Sequence, residues 1–106
     1  MVTLHTIVRN EGRFIKQALL SALSSAKVIR ALVWDTGSTD ETVRKILSIH
    51  DKRIEFSEKG IVPRAELVHL RNQQIQRTRT PWFFLADGDE RFRPNEILCS
   101  RMGPRL

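Results

Sequence analysis

Apolar residues recur along this chain in two alternating rhythms. Val2 to Val8, VTLHTIV, is a short β-branched run and predicts a buried strand. Arg9-Asn10-Glu11-Gly12 breaks it. Phe14, Ile15, Ala18, Leu19 and Ala22 then fall at helical spacing and predict a helix over about residues 11–25. VIRALVW, residues 28–34, predicts a second strand, and DTGSTDET a turn. Ser38 and Glu41 fit the S-x-x-E capping box, with Thr39 and Asp40 also in capping places. The helix they open runs to about His50, with Val43, Ile46 and Leu47 as its apolar face. RIEFSE, residues 53–58, alternates more weakly as a third strand, followed by a loop marked by Gly60 and Pro63. A third helix is expected over residues 64–79, with Ala65, Val68 and Ile75 in one stripe and Asn72 in line with them. Pro81 stops it, and WFFLA is the last strand.

The order is β-α-β-α-β-α-β. Strands alternating with helices predict an α/β fold with a mostly parallel sheet and right-handed crossovers. At 106 residues the chain is a single domain, with no internal repeat and no low-complexity tract. Residues 91–106 read as a basic tail, with Arg91, Arg93, Arg101 and Arg105 against Glu96.

In open parallel sheets, ligands bind beyond the C-terminal ends of the strands. The predicted ends carry Asn10-Glu11, Asp35-Thr36-Gly37-Ser38 and Asp87-Gly88-Asp89. Asp87 and Asp89, two apart on an extended chain, project to the same side, and Gly88 allows a tight bend. Like charges so close repel, so water or a cation must offset them. Two carboxylates suit Mg²⁺ or Mn²⁺, with phosphate and water completing the shell. A solvated Asp-Gly turn is the plain alternative, and the apolar strand before it favours the metal. Asp35 either accepts hydrogen bonds from a ribose or base, or starts a turn. Asn72, if packed, needs a polar partner, and is either a structural amide or a ligand contact. Arg71 reaches a phosphate or lies on a solvated helix face.

Other residues narrow the field. His5, His50 and His69 lack metal-ligand spacing. Cys99 is the single cysteine, so no disulfide framework or cysteine metal cluster is expected, and a reducing, cytoplasmic setting is the default. Trp34, Trp82, Phe83 and Phe84 sit inside strand patterns and read as core. No apolar run approaches the length of a membrane span, and no targeting segment is expected. Hydrophobic residues make up 41% and charged ones 28%, as in a soluble globular protein. The net charge of +6 attracts polyanions, and 13 of the 18 basic residues are arginine, which suits bidentate phosphate contacts. Nucleic acid is not the expected partner, because the arginines are scattered and no nucleic-acid motif occurs. Contact of the tail with an anionic membrane surface is compatible with the charge.

Taken together, the clusters resemble the family 2 glycosyltransferases. VWDTGSTDET resembles their V-D-D-G-S-T-D-x-T segment, and LADGDE their D-x-D motif at the end of an apolar strand. LRNQQIQRTRTPWFFLADGDE is similar to the family's run from A-R-N-x-G to the acidic motif, and TIVRNEGRFIKQAL to its opening strand and helix. The similarity covers residues 3 to about 93. It departs at Thr36, where the family has a second aspartate, and at Gln73-Gln74, where a glycine is expected.

The resemblance implies a three-layer α/β/α, Rossmann-like GT-A fold that binds a nucleotide sugar, often a UDP-sugar. Asn10, Glu11 and Asp35 would line the nucleoside pocket. Arg71 and Asn72 would sit near the diphosphate. Asp87 and Asp89 would hold Mg²⁺ or Mn²⁺, with Asp87 also at the nucleotide. The reaction implied is inverting transfer of the sugar to an acceptor hydroxyl on a glycan, lipid or protein. No general base is assigned. Family members continue into an acceptor-binding half after the acidic motif, so the expectation here is the donor-binding half of such an enzyme, truncated or part of a longer protein. A sheet edge left bare by that half would favour self-association. The competing expectation is a nucleotide- or metal-binding module without catalysis.

Overall fold

The computed structural model describes residues 1–85 and the backbone of residues 100 and 101. A five-stranded sheet, ordered β3-β2-β1-β4-β5, is its centre. The strands are β1 (Val2–Val8), β2 (Val28–Asp35), β3 (Ile54–Glu58), β4 (Trp82–Leu85) and the short β5 (Ser100–Arg101). The first four run parallel, and β5 pairs antiparallel with β4. The helices are α1 (Ile15–Leu23), α2 (Thr42–Leu47) and α3 (Leu67–Gln76), the last preceded by a 3₁₀ turn at Arg64–Glu66. The expected α/β order and mostly parallel sheet are therefore present.

The two faces of the sheet differ in chemistry. Successive strand residues point to opposite faces. Leu4 and Val8 of β1, Ala31 and Val33 of β2 and Phe84 of β4 join Ile15, Leu19, Ala22 and Ile46 in one apolar core under α1 and α2. The opposite face carries Thr3, His5, Leu32 and Trp34 and is covered by α3 and the segment after it. Polar side chains tie that layer down. Gln74 donates to the carbonyls of Thr6 and Leu32 at 3.0 and 3.3 Å, and Thr3 bonds Thr80 at 2.7 Å. Such partners offset the cost of burying polar groups.

This arrangement corrects the reading of the third helix. The buried stripe of α3 is Leu70 and Gln74, continued by Thr78, whereas Val68 is 61% exposed. Ala65 and Asn72 are also exposed. Asn72 therefore needs no structural partner. The polar residue packed against the sheet is Gln74, whose amide substitutes for apolar contact by bonding strand carbonyls. The first helix begins at Ile15 rather than 11, because the Glu11 carbonyl takes the N–H groups of both Phe14 and Ile15 in a turn. The second helix ends at Leu47 rather than near His50.

Candidate functional site

The loop after β1 and the loop after β2 are sewn together at the C-terminal edge of the sheet. The Thr36 N–H and hydroxyl both donate to the Val8 carbonyl, at 2.9 and 3.2 Å. Asn10 has φ of 52°, in the left-handed region that asparagine tolerates better than most residues. In that conformation its N–H donates to Ser38 Oγ at 2.9 Å, and its Oδ1 accepts the Thr39 N–H at 2.8 Å. Next along, the Gly12 N–H donates to Asp40 Oδ2 at 3.1 Å, while the Gly12 carbonyl accepts Lys45 Nζ at 2.6 Å. Gly12 is thus clamped on both sides of its backbone, by Asp40 just before α2 and by Lys45 within it.

Asp35 anchors the second loop. Its Oδ2 accepts the N–H groups of Gly37 and Ser38 at 3.1 and 3.0 Å, and its Oδ1 accepts the Ser38 hydroxyl. The residue is 3% exposed. The turn-starting role weighed for Asp35 is what the geometry displays, and the carboxylate shapes the loop from within. The capping box needs correction. Ser38 bonds Asp35 and Asn10, and the residue before α2, Glu41, makes no side-chain cap. Asp40 does that work, accepting the Thr42 N–H at 2.9 Å and the Thr42 hydroxyl. Those bonds, the hydroxyl first, hold the Asp40 carboxyl below the usual carboxylate range.

A third segment closes over these loops. The Lys59 N–H donates to the Asp35 carbonyl at 2.7 Å. Gly37 has φ of 91°, and a Cβ there would meet Ile61 Cγ1 at 2.5 Å. The close approach of Ile61 therefore requires glycine on two counts. Pro63 then directs the chain into the 3₁₀ turn, bringing Arg64 and Leu67 over the end of β1.

The result is a cleft of about 370 Å³, lined by Ile7, Val8, Arg9, Glu11, Thr36, Val62, Arg64, Leu67 and Arg71. It opens beside the point where the chain order reverses, since β2 lies on one side of β1 and β4 on the other. Ligands of open α/β sheets sit at such points. Of the residues singled out in the sequence, Glu11 and Arg71 line the cleft. Asn10 and Asp35 build its adjoining loops, and Asn72 lies on the exposed face of α3 outside the lining. Asp87 and Asp89 fall outside the described residues. Among the described residues, no group of three His, Cys, Asp or Glu side chains is placed to hold a metal. Arg9 and Arg64 line the cleft but were not singled out. They are far apart in sequence, and their only sequence signal is position, one just past a strand and one just before a helix.

Residues 3–98 match the family model described as "Glycosyl transferase family 2". No curated protein matches the chain. Solved structures that it resembles include S. aureus TarS 1-349, with a TM-score of 0.74 at 16% identity, covering 89% of this chain and 29% of that one. The same TarS fragment in complex with UDP gives a TM-score of 0.70 at 17% identity, covering 88% and 28%. The mannosyltransferase PcManGT from Pyrobaculum calidifontis, in complex with GDP-Man and Mn²⁺, gives 0.65 at 19% identity, covering 83% and 27%. The chain spans less than a third of the length of each of these structures.

Proposed function

The chain belongs to glycosyl transferase family 2, and from that premise we propose that it is a donor-binding domain for a nucleoside-diphosphate sugar. The observation that carries the proposal is the cleft at the chain-order reversal, which gathers Glu11, Thr36 and Arg71 beyond the end of β1. Structures with the same fold are in complex with UDP in one case and with GDP-Man and Mn²⁺ in another.

In this proposal Glu11 accepts hydrogen bonds from the nucleoside, and the loops held by Asn10 and Asp35 form its wall. Arg71 offers a guanidinium to the diphosphate, where bidentate contacts are strongest. Asn72, one residue on, approaches the same group from the rim. Asp87 and Asp89 are the candidates to hold Mg²⁺ or Mn²⁺, since carboxylate oxygens are the donors those ions prefer. A divalent ion bound there would supply positive charge to the leaving diphosphate.

The reaction proposed is transfer of the sugar to an acceptor hydroxyl with inversion. Departure of the nucleoside diphosphate builds negative charge on its phosphate oxygens. Fixed cations around the cleft stabilise that charge as it develops, more effectively than mobile water does. UDP is the first candidate nucleotide. No helix among the described residues is long and apolar enough to cross a membrane.

Calorimetric titration of UDP, with and without Mn²⁺, tests the reading. Binding that Glu11→Ala weakens about tenfold or more, and that Mn²⁺ strengthens in wild type but not in Asp89→Ala, is the expected result. A folded protein that binds neither UDP nor GDP under any of these conditions would refute it.

A further inference from the structure

α1 and α2 lie side by side over one face of the sheet, with Ile15, Leu19, Ala22 and Ile46 turned into the core. Lys45 of α2 bonds the Gly12 carbonyl ahead of α1 and so ties the two helices together. Their outer sides face solvent, and each carries a large apolar side chain. Leu20 is 49% exposed and Leu47 58%. Each leucine has an exposed cation one turn before it on its own helix. Lys16 precedes Leu20 by four residues and Arg44 precedes Leu47 by three, spacings that share a helix face. Arg13, in the turn leading into α1, is exposed as well.

The charge of this layer has one sign. None of the 12 acidic residues falls within residues 12–34 or 42–50. The acids at its border are engaged. Glu41 pairs with Lys45 at 3.4 Å, Asp51 with Arg53 at 2.7 Å, and Asp40 takes the N–H groups of Gly12 and Thr42. Leucines projecting from a basic field call for a partner that is anionic at its surface and apolar beneath. An anionic bilayer has both properties. Headgroup phosphates take the cations, and the long Lys and Arg stems let their charges stay at that level while the leucines go deeper. A second copy of the chain would instead bring like charges face to face. Nucleic acid would meet the charge but not the leucines, and the layer presents no exposed Phe or Trp on which bases could stack.

We infer that the outer side of the α1–α2 layer, with Leu20 and Leu47 among Arg13, Lys16 and Arg44, docks on an anionic membrane surface. The inference does not depend on what the cleft binds. No residue lining the cleft belongs to either helix, and α3, which supplies Leu67 and Arg71 to it, covers the opposite face of the sheet. A domain lying on its α1–α2 side therefore keeps the cleft open. Each basic group near an anionic surface raises affinity about fivefold. Three of them with two shallow leucines give reversible attachment, not permanent insertion.

The test is co-sedimentation with vesicles of phosphatidylcholine alone and of phosphatidylcholine mixed equally with phosphatidylserine, at low and moderate salt. Lys16→Gln, Arg44→Gln, Leu20→Ser and Leu47→Ser are compared with Arg79→Gln and Val68→Ser, matched changes at exposed positions on the α3 side of the sheet. The protein should bind the mixed vesicles and not phosphatidylcholine alone. Lys16→Gln and Arg44→Gln should each weaken that binding about fivefold. Leu20→Ser and Leu47→Ser should each weaken it about threefold or more. Arg79→Gln and Val68→Ser should leave it unchanged. Circular dichroism of all six variants should match wild type, since every site is exposed.

No binding to the mixed vesicles at low salt overturns the inference. Equal losses in Lys16→Gln, Arg44→Gln and Arg79→Gln overturn it too, since general surface charge then suffices. So does binding that both leucine variants leave unchanged, because the face would then serve any polyanion. Light scattering covers the remaining occupant: a dimer that Leu47→Ser dissociates would make a second copy the partner of this face and overturn the membrane assignment.

Discussion

His5 Nε2 lies 2.5 Å from Thr78 Oγ1, and both atoms are buried between β1 and the segment after α3. Thr78 donates its own hydroxyl hydrogen to the Gln74 carbonyl at 2.8 Å. It must therefore accept from the imidazole, which places the neutral ring's proton on Nε2. Among the described residues, Nδ1 is left as a buried acceptor with no hydrogen-bond partner. Phe83 stacks on the ring with centroids 5.0 Å apart.

This geometry makes the domain sensitive to mild acid. Burial, and secondarily the charge of Arg30, push the His5 pKa from 6.5 down to about 4. Between those values the unfolded chain takes up a proton that the folded one refuses. The His5 contribution to stability should thus be full above about pH 6.5, fall as the pH drops, and level off near pH 4. The full shift corresponds to about 3 kcal/mol. Urea unfolding at pH 7 and pH 4.5 measures the slope, and His5→Gln should flatten it. An equal slope in the variant would assign the acid sensitivity elsewhere.

The same layer explains what the sequence concealed. The strands were legible because β-branched runs such as VTLHTIV and VIRALVW have one reading. The face of α3 was not, because its buried positions are Leu70, Gln74 and Thr78, and hydrophobic periodicity cannot register a glutamine and a threonine as core. Only the distant strand carbonyls of Thr6 and Leu32 make Gln74 an interior residue. Ser38 misled for a related reason. Its spacing to Glu41 suits a cap, but Asp35 and Asn10 compete for it across the turn and win. The cleft was half visible. Glu11 and Arg71 stood in recognisable company, whereas Arg9 and Arg64 needed the topology to bring them together.

Arg53 is a staple no local pattern announces. Its guanidinium donates to the Leu23 carbonyl at 2.7 Å and the Val28 carbonyl at 2.8 Å while holding Asp51. It thereby joins the end of α1, the start of β2 and the entry to β3. Arg53→Ala should cost about 2 kcal/mol, from carbonyls that lose charged donors. Arg53→Lys should recover little, because one ammonium cannot span the fork. The exposed ion pair of Arg30 with Glu55 provides the contrast: Glu55→Ala should cost under about 1 kcal/mol. Equilibrium urea unfolding of the three variants decides the order.

Gly37 and Gly60 both have positive φ, at 91° and 74°, but differ in surroundings. A Cβ at Gly37 meets Ile61, whereas one at Gly60 meets nothing within 4 Å. Gly60→Ala should therefore cost only the backbone penalty, about 1 kcal/mol. Gly37→Ala adds displacement of Ile61, and with it of the segment leading to Arg64, so it should cost at least about 1 kcal/mol more. It should also weaken UDP binding, which Gly60→Ala should leave alone. Equal stability losses in the two variants would mean that Ile61 yields freely.

Asn10 combines two properties that substitution can separate. Its backbone needs the left-handed region, and its amide oxygen holds the Thr39 N–H across the gap between the β1 and β2 loops. Asn10→Gly keeps the first and removes the second. Asn10→Ala removes both. If the amide acts by joining the loops, Asn10→Gly should cost about 1 kcal/mol in stability, and Asn10→Ala should cost about 1 kcal/mol beyond that. Nucleotide affinity should follow the same order, because Arg9 and Glu11 flank Asn10 and move with it. A different outcome would carry its own meaning. Should Asn10→Gly retain full stability yet lose UDP affinity as completely as Asn10→Ala, the amide must leave Thr39 and contact the nucleotide directly. Measuring unfolding and UDP titration on the same two variants separates loop-joining from ligand contact.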